Sequence, residues 1–368
     1  MMVISILKLN DKLLNFQNIT YKMKAIILHG GSGTRLRPLT YTGSKQLIKV
    51  AGKPISQYGI EDLINNGIKD IGIILGDNSP KDVINYYGDG SFLNANITYI
   101  YQGKAMGLAD AVYKARDFIG NDRFIVYLGD NIVFNGLDGL LNFTGNASIL
   151  LSHVNNPERF GVALIDKNKI IKLVEKPKEF ISDLALVGVY AFDSSIFSYI
   201  EGLKPSNRNE LEITEAIQNM ITDGKMVQYS IIDSWWKDNG TPDDLLYANM
   251  RILDKYIGDY NDSHIMQGRI KKFDDLNIAE SKIYGPSYIG RNVTIKNSYI
   301  GPYTSINDNV VIEDSEIYNS LVFENSRIKN SKINNSIIGE ETVIDKNISK
   351  PSNSIFISGK GSIISVGD

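Results

Sequence analysis

The chain of 368 residues contains no cysteine and only three histidines, His29, His153 and His264. Without cysteine there are no disulfides, no thiolate nucleophile and no cysteine-ligated zinc, and the redox setting reads as cytoplasmic. An excess of positive charge is missing as well: 39 Lys and Arg against 42 Asp and Glu give a formal net charge of −3. Proteins that neutralise a nucleic-acid backbone carry a basic footprint, so nucleic acid is not an expected partner. No apolar run approaches the ~20 residues needed to cross a bilayer, so no membrane span is expected. The opening "MMVISILKLNDKLLNFQNITYK" lacks a basic start and breaks its apolar stretch at Lys8, unlike a signal peptide, and residues 1–22 are read as an extension outside the fold. With 43% hydrophobic residues, the rest can bury more than one core, and two or more domains are expected.

What is present begins at Met23. "KAIILHGG" is a short aliphatic run closed by glycine, the pattern of a buried parallel strand that opens into a loop. "DIGIILGDN", "NITYIYQG" and "RFIVYLGDN" repeat it, separated by helical stretches such as "ISQYGIEDLINNGI" and "GLADAVYKARDFIG". Strand alternating with helix implies a layered α/β sheet, in which ligands sit beyond the carboxyl ends of the strands. "HGGSGTR", "QGKAMG" and "LGDN" all fall there, so three loops are expected to meet at one crevice. From 148 to 237 the strands are spaced less regularly by helices, which favours a mixed sheet with an inserted lobe.

Past Met250 the pattern changes. From Ile283 onward, Ile or Val returns at 289, 295, 300, 306, 312, 317, 322, 328, 333, 338 and 344, always in steps of five or six. Such spacing is the hexapeptide period of a β-helix, whose inward residues are these aliphatics, and not the period of two of an ordinary strand. Units of five, such as "IKNSY", "IEDSE" and "IKNSK", share an Asn-Ser or Asp-Ser pair, so the turns are expected to shorten there. The expected boundaries are a catalytic domain over 23–258, a linker over 259–275, the repeat domain over 276–345 and a tail over 346–368. Parallel-strand faces are commonly buried by self-association, so the repeat domain is expected to form an oligomer interface or an inter-domain brace.

The loop "HGGSGTRLRPLTYTGSK" joins permissive backbone to dense positive charge. Consecutive glycines leave N–H groups free to face an anion, and a helix following the loop would add its positive end. It is neither a Walker loop nor a dinucleotide fingerprint, because no Gly-Lys-Ser/Thr follows and "GSGTRL" lacks the third glycine. Arg35, Arg37 and Lys45 follow closely, enough charge for a triphosphate. By spacing alone, a solvated glycine turn with surface arginines fits equally well.

The stretch "LHGGSGTRLRPLTYTGSKQLIKVAGKPI" resembles the signature of the sugar-1-phosphate nucleotidylyltransferases. The similarity continues in order through "YIYQGKAMGLADAV", "VYLGDN", "NPERFGVALID", "LVEKPKE", "VGVYAFD", "RNELEITEAI" and "WWKDNGTPDDLLYAN", covering residue 23 to about 250. Within that family the repeat tail resembles the long form of the thymidylyl-transferring enzymes. The resemblance implies a Rossmann-like three-layer domain with a mixed central sheet, followed by a left-handed parallel β-helix. Three positions depart from the pattern: His29 stands where a small residue is usual, Asn209 replaces a glycine, and Ser44 replaces the proline before Lys45. Leu186 and Val187 stand where the short thymidylyl enzymes carry Val-Thr.

By this resemblance, a sugar-1-phosphate oxygen attacks the α-phosphorus of a nucleoside triphosphate and releases pyrophosphate. The partners implied are dTTP, or UTP, and glucose-1-phosphate, with Mg²⁺ as cofactor and no covalent enzyme intermediate. Two anions must be screened and aligned, which needs no strong base, so a chain poor in histidine suffices. Arg35 resembles the residue that grips pyrophosphate, Lys45 the one at the reacting phosphates, and Lys176 the one that holds the sugar phosphate. Leu28, Gly30, Gly31, Ser32, Gly33 and Thr34 resemble the nucleotide loop, and Gln102 with Gly107 the pair that meets the base. Gly161, Glu175 and Leu186 resemble sugar contacts. Asp130 and Asp238, each alone compatible with a turn or cap, resemble the two carboxylates that share the magnesium. Trp235 and Trp236 read as core packing beside the site. Residues 276–345 contain no histidine, which argues against a β-helix acyltransferase, and the catalytic charges are all present, which argues against an inactive regulatory subunit.

Overall fold

The computed structural model describes residues 23–31, 33–256 and 258–346. The expected extension at 1–22, the tail beyond 346 and Ser32 lie outside the described residues. Four aliphatic runs form the parallel heart of the sheet, with Lys24–His29 between Phe124–Leu128 and Asp70–Gly76, and Asn96–Gly103 at the edge. Leu184–Phe192 then joins antiparallel to Phe124–Leu128 and carries Ala147–His153 and Gly161–Asp166, so the sheet is mixed as expected. The hairpin Gly161–Asp166 with Lys169–Glu175 is the inserted lobe.

Both faces of the sheet are covered, because successive residues of a strand point to opposite sides. Ile26, Leu28, Phe124 and Val126 pack in one cluster with residues of the helices Leu108–Lys114 and Ile213–Thr222. Ala25, Ile27, Ile125 and Tyr127 pack in another, with Ile60, Leu63 and Val83 from the helices Ile55–Asn65 and Pro80–Tyr87. Helices on both sides of one sheet give the three layers.

The C-terminal region is a parallel β-helix of three narrow faces. On one of them Ile278, Ile295 and Ile312 stack at intervals of seventeen residues, then Ile328 and Ile344 at intervals of sixteen. Asn297, Asn319, Asn330 and Asp314, at the corners of the five-residue units, adopt left-handed φ, which Asn and Asp tolerate better than other residues with a Cβ. The serine that follows satisfies the next coil: Ser298 N donates to Ser281 Oγ at 3.0 Å, Ser315 N to Ser298 Oγ at 3.0 Å, and Ser331 N to Ser315 Oγ at 3.1 Å. Thus the Asn-Ser pairs shorten the turns and bond the coils together. The stretch 259–275, expected as a linker, instead contains Tyr260–Asp262 and Met266–Lys271, and the latter pairs in parallel with Lys282–Tyr284 and Ser287–Ile289. It forms the first rung, unmarked in sequence because Met266 and Ile270 do not keep the later spacing.

The β-helix braces the catalytic domain. Leu321 and Phe323 from its coils enter one apolar cluster with Leu36, Ile48, Val50 and Ile55 beside the phosphate loop and with Leu245 and Ile252 of the helix Pro242–Tyr256. The fully buried Asn249 ties three segments together: its Oδ1 accepts from Ala51 N at 3.0 Å and Ser305 Oγ at 2.6 Å, and its Nδ2 donates to the Tyr303 carbonyl at 2.9 Å. Lys49 pairs with Glu324 across the same seam. Truncating a buried phenylalanine costs about 3–5 kcal/mol, so Phe323→Ala lowers the unfolding temperature, whereas Arg327→Ala, exposed on the same coil, leaves it within about a degree. Calorimetry of the two variants checks this, and equal melting temperatures would show that the seam bears no load.

Candidate active site

The phosphate loop follows the Lys24–His29 strand. Gly31 and Gly33 take left-handed φ of 98° and 57°. Gly30 O accepts from Gln46 Nε2 at 2.8 Å and Gly33 O from Thr40 Oγ1 at 2.7 Å, so the loop is anchored by its carbonyls. No α-helix follows: the chain runs through the short turns Thr34–Leu36, Leu39–Tyr41 and Lys45–Leu47. The expected helix dipole is therefore absent, because Pro38 and Gly43 interrupt the segment before a helix can propagate. Charge is supplied by side chains instead. Arg35 reaches over Gly240, where an added Cβ would lie 2.8 Å from Nη2. Arg37 stacks on Tyr41 with its guanidinium 5.0 Å from the ring centroid and lines a different, larger cavity.

Asp130 follows the Phe124–Leu128 strand, and Asp238 ends the short strand Trp236–Asp238. The second aspartate is not at a loop of the main sheet: its strand pairs antiparallel with Asn131–Val133 in a separate two-stranded ribbon, with Asp238 opposite Asn131. This ribbon brings together two carboxylates more than a hundred residues apart in sequence. Lys45 lies between them, its Nζ 2.6 Å from Asp130 Oδ2 and 3.6 Å from Asp238 Oδ1. Asn131 Nδ2 donates to Asp130 Oδ1 at 2.7 Å, and Asn131 Oδ1 accepts from Trp236 Nε1 at 2.6 Å. Burial alone would raise the Asp130 pKa, but the Lys45 ammonium and these hydrogen bonds bring it below the usual carboxylate value. Asp238 moves the other way, raised first by burial and then by the charge of Asp130. Burial disfavours the Lys45 charge, yet the two carboxylates hold its pKa above normal. Lys45 shares one positive charge between two half-buried carboxylates, and Arg35 acts on Asp238 as well.

Gly161, Glu175, Lys176, Leu186, Asp130 and Asp238 all line one cavity of about 250 Å³. Gly161 has no room for a side chain, since a Cβ would lie 2.6 Å from Thr214 Cγ2 and 3.1 Å from Glu175 Oε2. Glu175 is raised in pKa by burial and by neighbouring Glu212, and accepts from Thr214 Oγ1 at 3.3 Å. Lys176 holds left-handed φ of 42°, unusual for a residue with a long side chain, and its N donates to the Phe160 carbonyl at 2.9 Å. Gln102 is buried, with Nε2 donating to Asp110 Oδ2 at 3.0 Å and to the Gly107 carbonyl at 3.3 Å. A Cβ on Gly30 would sit 3.2 Å from Gln102 Oε1, so the missing side chain keeps the face of the amide open. Leu28 is buried under the loop, and its carbonyl accepts from Gly129 N at 3.0 Å. A larger cavity, about 810 Å³, lies between the 36–49 segment and the β-helix and contains none of the expected catalytic residues.

Three residues of the site went unread in the sequence. Arg208 lines the cavity and bonds Glu212 at 2.9 Å while standing 3.6 Å from Glu175. The dense charge of "RNELE" was its available signal. Gln46 anchors the loop, and Asn131 orients Asp130. Trp235 and Trp236 both pack against apolar clusters as expected, Trp235 with its ring 4.7 Å from that of Phe134, and Trp236 in addition forms part of the cavity wall beside Phe160. Of the departures from the family pattern, Asn209 carries φ of 58°, a conformation Asn accepts in place of glycine, and Ser44 Oγ donates to Gln46 Oε1 at 2.8 Å.

These elements define a class. Residues 24–255 match the family described as nucleotidyl transferase, and residues 283–361 match the GMPPB C-terminal domain. The chain belongs to the nucleotidyl transferase family and is an enzyme of that class. Among particular relatives, it is 40% identical to glucose-1-phosphate thymidylyltransferase of Streptomyces antibioticus, over 94% of this chain and 99% of that one. It is 45% identical to the low-salt glycan biosynthesis nucleotidyltransferase Agl11 of Haloferax volcanii, over 68% of this chain and 72% of that one. A crystal structure from Bacillus anthracis, provisionally named a glucose-1-phosphate thymidylyltransferase and solved with sucrose, superposes with a TM-score of 0.60 at 42% identity, covering 64% of this chain and 98% of that one.

His29, at the end of the central strand, is fully buried and neither ring nitrogen has a hydrogen-bond partner. Burial lowers its pKa to about 3. The folded state therefore refuses a proton that the unfolded chain takes up near pH 6.5, so stability present above that pH is lost as the pH falls toward 3, by about 1.4 kcal/mol per unit. His29→Ala shifts the level of the melting curve through the space it leaves but flattens its fall between pH 6.5 and 4.5. Parallel curves for parent and variant would rule out this role.

Proposed function

We propose that the protein transfers a thymidylyl group from dTTP to glucose-1-phosphate, giving dTDP-glucose and pyrophosphate. The observation that carries this reading is the convergence of Asp130, Gly161, Glu175, Lys176, Leu186 and Asp238, from five separated segments, on one cavity whose edge meets the Lys45 ammonium. The near full-length similarity to the Streptomyces antibioticus enzyme supports the choice of nucleotide and sugar.

In this reading the backbone N–H groups of Gly30, Gly31, Gly33 and Thr34 cradle the triphosphate, and Arg35 holds the leaving pyrophosphate. Gln102 and the Gly107 backbone meet the base edge, an amide being able to donate and accept together. Gly161, Glu175 and Leu186 orient the hexose, and Lys176 holds its phosphate. A phosphate oxygen of the sugar bonds to the α-phosphorus while the bond to the pyrophosphate oxygen breaks, so phosphorus keeps its bond count and pyrophosphate carries away the electron pair. The protein's contribution is alignment and charge screening, with no proton abstracted by a strong base.

The donor set fits Mg²⁺. Among the described residues no cluster of three or more His, Cys, Asp or Glu could hold a metal, but a pair of carboxylates is the set magnesium takes when phosphate and water complete its shell. Held by Asp130 and Asp238, the ion would neutralise the α-phosphate. Asp130→Asn and Asp238→Asn each keep shape and remove charge, and each lowers kcat by on the order of 10² or more with the fold intact. EDTA abolishes turnover of the parent, and Mg²⁺ restores it. Near-normal turnover of either variant at saturating Mg²⁺ would make that carboxylate structural.

Substrate choice is tested by pyrophosphate release from a panel of nucleoside triphosphates against glucose-, mannose-, galactose- and N-acetylglucosamine-1-phosphate. The pair dTTP and glucose-1-phosphate gives the highest kcat/KM. UTP presents the same base edge, and only one methyl group, worth about 1–3 kcal/mol in an apolar pocket, separates the two. A preference for ATP or GTP would contradict the assignment of Gln102.

A further inference from the structure

We propose that Lys45 is the resident counter-ion of the two-carboxylate site and yields its place when a divalent cation enters, so that metal binding and triphosphate binding are coupled through one ammonium. The proposal rests on the reading of Asp130 and Asp238 as metal ligands and adds to it a second role for Lys45.

The geometry is specific. The ammonium sits 2.6 Å from Asp130 Oδ2 and 3.6 Å from Asp238 Oδ1, on the side where the two carboxylates face each other. The other Asp130 oxygen is held by Asn131, whose own amide oxygen is fixed by the Trp236 indole, so this carboxylate is not free to turn a second face to an arriving ion. A divalent ion held by both aspartates would need the carboxylate oxygens that Nζ now occupies. Keeping the ammonium there beside a doubly charged ion would place like charges together in a partly buried site, where repulsion is less screened than in open water. Entry of the metal therefore requires that Nζ leave.

The destination is also visible. Lys45 stands in a short turn fixed by Leu47 N to Ser44 O at 3.0 Å and Ile48 N to Lys45 O at 3.2 Å, so its movement is confined to its own side-chain torsions. Its stem lies against the phosphate loop, with Lys45 Cβ only 3.3 Å from where a Cβ would stand on Gly33. From this root a four-carbon stem reaches the carboxylates on one side and the loop that cradles the triphosphate on the other. With no triphosphate present, leaving the carboxylates costs the ammonium the two anionic partners it has among the described residues. With one bound, the phosphates replace them. Metal thus binds weakly to the free enzyme and strongly to the nucleotide complex, and by linkage the triphosphate is favoured equally by the metal.

The test uses Mn²⁺ alone, without nucleotide, with free ion counted by its electron paramagnetic resonance signal. Lys45→Met, checked for folding by circular dichroism, binds Mn²⁺ at least about tenfold more tightly than the parent even though its turnover is lost, and adding Asp130→Asn to it removes that binding. Equal or weaker binding by Lys45→Met overturns the counter-ion role. Tight binding that survives Asp130→Asn puts the metal elsewhere and overturns the carboxylate reading together with the proposal. A second measurement needs no variant: acetylation of Lys45 in the parent, followed by peptide mass spectrometry, rises at saturating Mn²⁺ and falls again when dTTP is added with the metal. Labelling that does not respond to Mn²⁺ counts against displacement.

Discussion

Two half-buried carboxylates and one buried ammonium at the mouth of the central sheet constrain everything else in the site. Two anions stay charged side by side, largely withdrawn from water, only where cations are supplied, and here the chain itself supplies Lys45 between them and Arg35 near Asp238. The opposite pKa directions of Asp130 and Asp238 express that imbalance: the carboxylate that owns the ammonium is acidified, and the one left at 3.6 Å is not. An electron-rich site of this kind is unsuited to bind a sugar phosphate or a triphosphate unaided. It becomes suited when arginine, lysine and a divalent ion are set around the phosphates, which is the chemistry of nucleotidyl transfer.

The scaffold serves that constraint. Parallel strands bring the phosphate loop and the Asp130 loop side by side, and the ribbon from Trp236 to Asp238 folds the second carboxylate onto the first. The antiparallel lobe brings Gly161, Glu175 and Lys176 to the same cavity as the two aspartates. Behind the 36–49 segment, which carries Lys45 on short turns and not on a helix, Leu321 and Phe323 of the β-helix supply the packing that a helix would have supplied for itself. The β-helix, far from the chemistry in sequence, thereby supports the segment on which the chemistry depends.

Much of this was legible in the residues. Buried parallel strands require unbroken aliphatic runs, so "KAIILH" and "FIVYL" announced themselves, and the five-and-six spacing of isoleucine announced the β-helix with its Asn-Ser corners. Resemblance to a family added the roles of individual charges, and the cavity gathers Gly161, Glu175, Lys176, Leu186 and both aspartates. What stayed hidden was set by tertiary contact. Trp236 lines the cavity because its indole finds Asn131, and no local pattern reports such a partner. Arg37 stacks on the Tyr41 ring and lines a different cavity. The first β-helix rung at Met266–Lys271 lacks the later period, and no helix follows the glycines directly because Pro38 and Gly43 interrupt the segment.

The most direct test of the account is a crystal structure of the enzyme with Mg²⁺, a non-hydrolysable dTTP analogue and glucose-1-phosphate. The account predicts one ion bound by both Asp130 and Asp238, Lys45 Nζ withdrawn from Asp130 onto the phosphates, and the hexose between Gly161 and Glu175. A metal held by the triphosphate alone, with Lys45 still bonded to Asp130, would contradict it.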